Sequence, residues 1–309
     1  MTATRRLLIA LLVLFGLIAA SCGDDSDGGE SSGDATEAAA PDGPTIRLRG
    51  QDFSEAITIA EVYGQYLQAK GYDVEILTPA GFRVEAIDGL RNDDLDLIVD
   101  YIGGSQAELL PDAEPSADPD TVIETITPAY DEIGADVLDA SPAVDGDAFV
   151  VRGDQEGDTI SDIADAGLVL GASAQCFERV QCFLGFTDPE VYGIEFADTV
   201  TIEFGPLLGE ALGAEEVDAV VWNTTAPQIE AEGFKVLEDD QGLFPAQNIA
   251  PIISTELLEA YGDQLADDLN TLSAAITTED LLAWNTETDI ELRESDDVAT
   301  EWLTDKGLI

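Results

Sequence analysis

The chain has 309 residues, enough for two domains of ordinary size, and 45% of them are hydrophobic, which allows a sizeable core. Its 65 acidic residues, 12 basic residues and lack of histidine give a formal net charge of −53. This charge excludes nucleic acid and anionic membrane surfaces as partners, because both bind through Lys and Arg. The acidic residues are spread over the chain, which favours a solvated coat screened by salt, with a cationic partner or ligand as the alternative.

The first 44 residues read as export and tethering segments. Arg5-Arg6 is followed by an apolar run of about fourteen residues, too short to span a bilayer comfortably. The sequence Ala19-Ala20-Ser21-Cys22 is similar to a bacterial lipobox, in which Cys22 is lipidated and becomes the mature N-terminus. We therefore predict a lipoprotein signal peptide at 1–22, with an ordinary signal peptide as the alternative. Residues 23–44 are rich in Gly, Ser and acidic residues, which predicts a disordered linker.

Residues 46–104 alternate strand and helix. We predict strands at 46–50, 72–77 and 95–101 and helices at 53–70 and 82–93. The first helix is indicated by apolar residues at helical spacing between Phe53 and Leu67. Alternation of this kind makes a parallel sheet with right-handed crossovers. Such sheets bind ligands at the carboxyl ends of their strands, which here carry Gln51, Asp52 and Tyr101.

The rest of the chain completes two α/β lobes. A helix at 121–133 and a strand at 135–138 precede a strand at 148–152 that crosses into the second lobe. The second lobe has predicted strands at 168–171, 200–204, 217–222 and 234–237 and predicted helices at 160–166, 207–212 and 226–232. A strand at 248–254 returns, and the tail is helical. We assign 45–147 and 252–309 to lobe 1 and 148–251 to lobe 2, with the two crossing strands as a hinge, so that the cleft can close on a ligand.

Two cysteines, Cys176 and Cys182, remain once Cys22 is lipidated. In an exported protein such a pair most simply forms a disulfide. On a continuous helix their Cα atoms would lie about 9 Å apart, too far to bridge, so the bond predicts a bent loop at 177–181 that displays Arg179. A redox or metal-binding pair is the alternative, although the spacing matches no zinc or CxxC pattern.

Catalytic motifs are missing from the sequence. Without histidine, neither a Ser-His-Asp triad nor a Cys-His pair can form. The chain has no P-loop and no G-x-G-x-x-G. Acidic pairs occur throughout, so no pair of the glycosidase type can be singled out. We therefore predict that the protein is not an enzyme and holds no cofactor or metal.

Three blocks of sequence, in order, resemble the solute-binding lipoproteins of osmoprotectant ABC importers, which bind glycine betaine, choline and related quaternary ammonium compounds. Residues 50–55, Gly-Gln-Asp-Phe-Ser-Glu, are similar to the family's G-S-K-N-F-T-E, and Ala-Glu-Val-Tyr follows at 60–63. Residues 95–104 are similar to I-D-L-x-x-E-Y-T-G-T. Residues 245–251 and the tail to Ile309 resemble the closing region, and the loop between the two cysteines also resembles members of this family.

The resemblance implies a fold and a ligand chemistry. The fold is a two-lobed periplasmic-binding-protein fold, type II-like, in which each lobe is a mixed, mainly parallel sheet flanked by helices. A quaternary ammonium is held by aromatic faces through cation–π attraction, and a betaine carboxylate needs hydrogen-bond donors. The resemblance places Tyr101 at a tyrosine of the aromatic cage and Arg179 near the ligand. Tyr101 as a core residue and Arg179 as a solvated one are the alternatives.

Several positions depart from the family pattern. Gln51 replaces a lysine and Gly104 a threonine, and both family residues would help to hold a carboxylate. Residues 223–226, Asn-Thr-Thr-Ala, replace aromatic-Ser-Thr-Asp, so that Trp222, which could also be strand core, is the nearest aromatic. Without these donors, glycine betaine is a less favoured ligand. The acidic residues Asp52 and Asp147 indicate instead a ligand with net positive charge, such as choline or a polyamine. The predicted ligand-binding residues are Gln51, Asp52, Tyr101, Gly104, Asp147, Arg179, Trp222 and Asn223.

The sequence thus predicts an extracytoplasmic, lipid-anchored, monomeric solute-binding component of an ABC importer. Its partners are a small-molecule solute and a permease with a separate ATPase, since the chain carries neither a P-loop nor several membrane spans. The alternatives are another small solute, such as an amino acid or a polyamine, on the same fold, and a surface lipoprotein with a structural or sensory role.

Overall fold

The computed structural model describes residues 43–77 and 81–309. The predicted signal peptide with Cys22, and the predicted linker apart from its last two residues, lie outside the described residues. Within the described ranges, no helix is both long enough and apolar enough to cross a membrane. The described chain forms two five-stranded sheets flanked by helices, which confirms the predicted two-lobed α/β architecture.

The elements follow one another in chain order as strands and helices. The strands are β1 (Ile46–Arg49), β2 (Val74–Ile76), β3 (Leu97–Tyr101), β4 (Ala135–Val137), β5 (Asp147–Arg152), β6 (Val169–Ala172), β7 (Asp198–Thr201), β8 (Ala219–Asn223), β9 (Phe234–Leu237) and β10 (Ile249–Ser254). The helices are α1 (Ser54–Ala69), α2 (Arg83–Arg91), α3 (Ile102–Leu109), α4 (Pro119–Asp131), α5 (Gly185–Thr187), α6 (Pro206–Gly213), α7 (Gln228–Ala231), α8 (Thr255–Tyr261), α9 (Asp263–Ala275), α10 (Thr278–Asn285) and α11 (Ser295–Asp305).

The first sheet has the strand order β2-β1-β3-β10-β4. Every residue of β3 is buried, because its alternate side chains enter two cores. Leu97 and Val99 pack with α1 and the C-terminal helices α8 to α11, whereas Ile98 packs with α2 and α4 on the other face. Burial on both faces explains the nearly continuous apolar sequence of this strand. The sheet therefore holds the end of β3, with Tyr101, at a fixed place beside the start of α1.

The second sheet has the strand order β7-β6-β8-β5-β9. Among the described strands, each sheet has two parallel and two antiparallel pairings, so parallel pairing does not predominate as the alternation predicted. The antiparallel pairings all involve β5 or β10. The chain enters each of these two strands directly from the other sheet, and each strand is antiparallel to its neighbours.

Two crossing segments, 138–146 and 238–248, connect the sheets. They run side by side, with Asp145 N donating to Gln247 O at 3.2 Å and Ser141 N donating to Ile249 O at 2.8 Å. The lobe boundaries predicted at 147/148 and 251/252 fall at the start of β5 and inside β10, whose residues pair in the first sheet. The paired segments form the only described backbone route between the sheets, as a two-strand hinge requires.

Two local structures differ from what the sequence indicated, and a third has the predicted bend. Residues 102–109 form helix α3, although the glycine pair at 103–104 gave no helix signal. Residues 160–166 contain only a 3₁₀ turn at Ser161–Ile163. A longer helix does not form because Gly157 and Gly167, both at positive φ, turn the backbone on either side of the segment. The predicted loop at 177–181 is a 3₁₀ turn and a π turn that meet at an extended Arg179.

Candidate functional site

A cavity of about 220 Å³ lies between the two lobes. This volume is below the range of about 300–1,000 Å³ that holds drug-sized ligands, so the cavity fits a small solute. The first lobe contributes the start of α1 and the end of α10 with the turn after it, and the second lobe contributes β8 and the start of α6. The lining residues are Asp52, Phe53, Ser54, Glu55, Asn285 and Asp289 from the first lobe, and Phe204, Gly205, Pro206, Trp222, Asn223 and Ala226 from the second.

Aromatic rings from both lobes line this cavity. Phe53, directly before α1, meets Phe204 edge to face, with ring centroids 6.3 Å apart. Gly205, at a φ of +121°, and Pro206 at the first turn of α6 begin that helix sharply after Phe204. Trp222 is 2% exposed, and its ring lies against Gly209, where a Cβ would come within 2.8 Å of it. Aromatic faces grouped in this way attract cations.

The charged groups of the lining are all acidic. Asp52, Glu55 and Asp289 are carboxylates, and no lysine or arginine is among the described residues of the lining. Asp52 is exposed and Asp289 is half-buried, whereas Glu55 is 2% exposed. The field inside the cavity therefore favours a ligand with positive charge.

A buried hydrogen-bond cluster forms the floor between the lobes. Glu55 accepts bonds from Tyr101 Oη at 2.6 Å, from Thr225 Oγ1 at 2.7 Å and from Asn285 Nδ2 at 2.5 Å. Thr225 Oγ1 also lies 2.6 Å from Asp145 Oδ1. Because Thr225 follows β8 whereas Glu55 and Asn285 belong to the first lobe, these bonds tie one lobe to the other.

Burial sets the acidity of this cluster. It raises the pKa of Glu55, and the hydrogen bonds from Tyr101, Thr225 and Asn285 offset part of that rise. Burial, with the charge of Glu55, raises the pKa of Asp145 well above its usual range. The pKa of Tyr101 is also raised, by burial and then by Glu55, so its hydroxyl stays a donor. Tyr101 stacks on Phe53, with ring centroids 5.9 Å apart, and so supports the aromatic wall from behind.

A second polar network surrounds Asp100, which is 1% exposed. Its carboxylate accepts bonds from Arg83 Nε at 2.9 Å, from Gln51 Nε2 at 2.6 Å and from Ser105 Oγ at 2.7 Å. The guanidinium of Arg83 fills the space beside Gly104, where a Cβ would lie 2.4 Å from its Nη2. Arg83 is therefore engaged by the protein itself.

Gln247, on the second crossing segment, joins this network to the other lobe. Its Oε1 accepts a bond from Gly104 N at 3.0 Å, and its Nε2 lies 3.3 Å from Asp147 Oδ2. The same oxygen of Asp147 pairs with Arg179 Nη2 at 3.4 Å. The structure bonds Cys176 to Cys182 in a disulfide, with Cα atoms 5.3 Å apart, and this closed loop carries Arg179.

The structure thus divides the eight predicted ligand-binding residues into groups. Asp52, Trp222 and Asn223 line the cavity, and Tyr101 lies directly behind it. The other four, Gln51, Gly104, Asp147 and Arg179, belong to the networks of Asp100 and Gln247 rather than to the cavity lining.

Sequence reasoning missed the residues that only the fold brings to the site: Glu55, Arg83, Asp145, Phe204, Thr225, Gln247, Asn285 and Asp289. Glu55 could have been found, because it ends the quoted motif at 50–55. Phe204 could also have been found, since it stands before the Gly-Pro start of a helix. In the described part of the chain, no group of three or more His, Cys, Asp or Glu side chains is arranged to hold a metal ion.

Comparisons with known proteins agree with this architecture. Residues 44–305 match the family model described as the substrate binding domain of ABC-type glycine betaine transport system. The carnitine transport binding protein OpuCC of Listeria monocytogenes is 24% identical over 302 residues, which cover 95% of this chain and 93% of that protein. The glycine-betaine-binding protein of Pseudomonas aeruginosa is 24% identical over 280 residues, with 86% and 89% covered.

A solved structure shares the fold. The crystal structure of a glycine betaine/carnitine/choline ABC transporter superposes with a TM-score of 0.73 at 23% identity, covering 85% of this chain and 99% of the other. Its fold supports the two-lobed periplasmic-binding-protein architecture built above.

Proposed function

Because the chain belongs to the family of substrate binding domains of ABC-type glycine betaine transport systems, we propose that it captures a small quaternary ammonium solute in the cavity between its lobes. It delivers this solute to a separate permease that an ATPase drives. It acts as an extracytoplasmic monomer held at the membrane by a lipid on Cys22.

The observation that carries the ligand class is the lining of the interlobe cavity. Phe53 and Phe204 supply accessible aromatic surface from the two lobes, as the cation–π binding of a methylated ammonium requires, and the mostly buried Trp222 lies beside them. A methylated ammonium has no N–H to donate, so it needs these faces and nearby negative charge rather than hydrogen-bond acceptors. Asp52 and Asp289 supply that charge.

The same lining favours a cation over a zwitterion. A betaine carboxylate needs donors such as Lys or Arg, and the described lining contains neither. The two nearby arginines are already paired, Arg83 with Asp100 at 2.9 Å and Arg179 with Asp147 at 3.4 Å. Choline carries the ammonium without a carboxylate, so we expect it to bind more tightly than glycine betaine or carnitine.

Calorimetric titration with choline, glycine betaine, carnitine, spermidine and a set of amino acids tests this proposal. The variant Phe204→Leu removes one aromatic face from the cavity, and the expected loss is about 1 kcal/mol, or about fivefold in choline affinity. Phe82→Leu is the matched control, because Phe82 is 59% exposed and lies outside the lining. It should leave the choline affinity unchanged.

Three results would overturn the proposal. Binding of spermidine or an amino acid in place of every quaternary ammonium would move the protein to another solute class on the same fold. Equal losses in Phe204→Leu and Phe82→Leu would place the ligand outside the cavity. No binding of any of these solutes would favour a structural or sensory lipoprotein.

A further inference from the structure

The buried cluster between the lobes contains more short oxygen contacts than its neutral side chains have hydrogens for. Thr225 Oγ1 lies 2.7 Å from Glu55 Oε2 and 2.6 Å from Asp145 Oδ1. Both are O–H···O distances, and each needs a hydrogen between its two oxygens. A threonine hydroxyl has one hydrogen, so it can donate to only one of the two carboxyl groups.

The other neighbours do not supply the missing hydrogen. Asn223 Nδ2 donates to Thr225 Oγ1 at 2.8 Å. Asn285 Nδ2 has two hydrogens, which Glu55 Oε2 at 2.5 Å and Thr225 O at 3.1 Å accept. One of the two lone pairs of Thr225 Oγ1 is then left to accept from a carboxyl group. The Tyr101 hydroxyl is used on the far oxygen of Glu55, Oε1. In the described part of the chain, neither carboxyl group has a lysine or arginine among its hydrogen-bond or ion-pair partners. The second hydrogen therefore has to sit on one of the carboxyl groups.

We propose that closure of the two lobes takes up one proton, which Glu55 and Asp145 share across the Thr225 hydroxyl, so that solute capture is coupled to proton uptake. The three residues lie on different parts of the molecule: Glu55 on α1, Asp145 on the first crossing segment and Thr225 after β8. They come together only when the lobes meet. With the lobes apart, water would solvate both carboxylates, and both would be ionised at neutral pH.

The charges around the pair oppose a second negative charge. The negative charge of Asp147 raises the pKa of Asp145. The negative charge of Asp100, on β3, raises the pKa of Tyr101. Asp52 and Asp289 face the same cavity from the start of α1 and the turn after α10. The pKa values of Glu55 and Asp145 are both raised, first by burial. The pair therefore holds its proton at a pH where free carboxyl groups have lost theirs.

The direction of the pH effect follows from these raised values. The proton stabilises the closed form fully below the ordinary carboxyl pKa, and this stabilisation is lost as pH rises through the raised pKa of the closed form. A bound solute needs the closed form, so its affinity falls with rising pH, by up to tenfold per pH unit for one proton. Choline has no group that titrates near neutral pH, so any pH dependence belongs to the protein.

The inference rests on the proposed binding of choline, and the experiment separates the two. Titrate the full-length protein with choline across pH, in pairs of buffers with different ionisation enthalpies. The difference in heat between two buffers counts the protons taken up, and we expect up to one per choline bound, with the maximum between the ordinary carboxyl pKa and the raised pKa of the closed form. In Asp145→Asn the side-chain amide supplies the missing hydrogen to Thr225 Oγ1, so the protons taken up per choline bound and the fall in affinity with rising pH should both disappear.

Asp131→Asn is the matched control, since Asp131 is exposed on α4 and should keep the wild-type uptake. Zero proton uptake by the wild type across the pH series, or wild-type uptake by Asp145→Asn, would overturn the proposal. If choline does not bind at all, the proposed function fails, and the pH dependence of unfolding without ligand tests the shared proton by itself. The free energy of unfolding should then fall as pH rises in the wild type and in Asp131→Asn, and fall less in Asp145→Asn. Equal falls in all three would overturn the proposal of a shared proton.

Discussion

At residue 104 the lack of a side chain makes room for an arginine. A Cβ there would lie 2.4 Å from Arg83 Nη2, and the guanidinium occupies that space to pair with Asp100. Threonine is the residue that the related motif has at this position. Replacing it by glycine exchanges a hydroxyl that could serve a ligand for an arginine that serves a buried aspartate.

The substitution Gly104→Thr should therefore destabilise the protein through Arg83. The new side chain displaces the guanidinium and leaves Asp100, which is 1% exposed, without its cation. We expect a loss of about 1–3 kcal/mol in the free energy of unfolding, measured with urea. In the Arg83→Met background the same change should cost less, because the group that must move is gone.

Gly103→Thr is the matched control on the same helix. A Cβ at Gly103 would lie 2.6 Å from the backbone oxygen of Ala246, so this clash does not involve Arg83. It should cost the same in both backgrounds. If Gly104→Thr also cost the same in both, Arg83 would not be what fills the space.

At the scale of elements, α10 places Asn285 against Glu55. Its N-terminus has a capping box, in which Thr277 Oγ1 accepts from Asp280 N and the Asp280 carboxylate accepts from Thr277 N. Asp280 also accepts bonds from Trp302 Nε1 of α11, at 2.9 Å, and from Lys306. One carboxylate thus fixes both the start of α10 and its packing on the last helix.

Asp280→Asn should weaken this element in a pH-dependent way. Burial raises the pKa of Asp280, but the hydrogen bonds from Trp302, Thr277 and Lys306 outweigh it and hold that pKa below its usual value. The carboxylate therefore adds stability above the unfolded-state pKa, and this stability is lost as pH falls through the lowered pKa. Urea unfolding should show a loss of about 1–2 kcal/mol at neutral pH that shrinks in acid.

Asp263→Asn provides the comparison for α10. Asp263 begins α9, is exposed, and lies in the first turn as Asp280 does. Its substitution removes only a charge near a helix N-terminus, so the loss should be a few tenths of a kcal/mol. A loss in Asp280→Asn that is the same at neutral and acid pH would mean that the charge of the carboxylate does not matter.

At the scale of the whole molecule, the excess of acidic over basic residues opposes folding. A formal charge of −53 on 309 residues brings like charges together when the chain becomes compact. Added salt shortens the screening length from about 30 Å at 0.01 M to about 3 Å at 1 M. The melting temperature should therefore rise with sodium chloride, most steeply at the lowest concentrations.

Sucrose at matched osmolality separates screening from a general solvent effect. Sucrose stabilises proteins by exclusion from their surface and does not screen charge. It should give a smaller and more nearly linear rise in melting temperature. A flat melting temperature across the salt series would show that the acidic residues are far enough apart to be solvated independently.

The order of the elements was predictable because periodic apolar residues act locally. Helix α1 at Ser54–Ala69 differs from its predicted bounds by one residue at each end, and β9 at Phe234–Leu237 matches its prediction. Helix α3 was missed because Gly103 and Gly104 are poor helix formers. It forms because Ile102 and the residues after it are held among α2, α4 and Gln247.

The sequence by itself determined the two-lobed α/β class, the acidic surface and the family, because local periodicity, composition and ordered motifs are sufficient to indicate them. Only the tertiary structure decided which side chains meet in the cleft. Thr225 is 170 residues from Glu55, and Asn285 is 230 residues from it, yet all three share hydrogen bonds. No local pattern specifies such a contact, since it exists only where two paired crossing segments bring one lobe against the other.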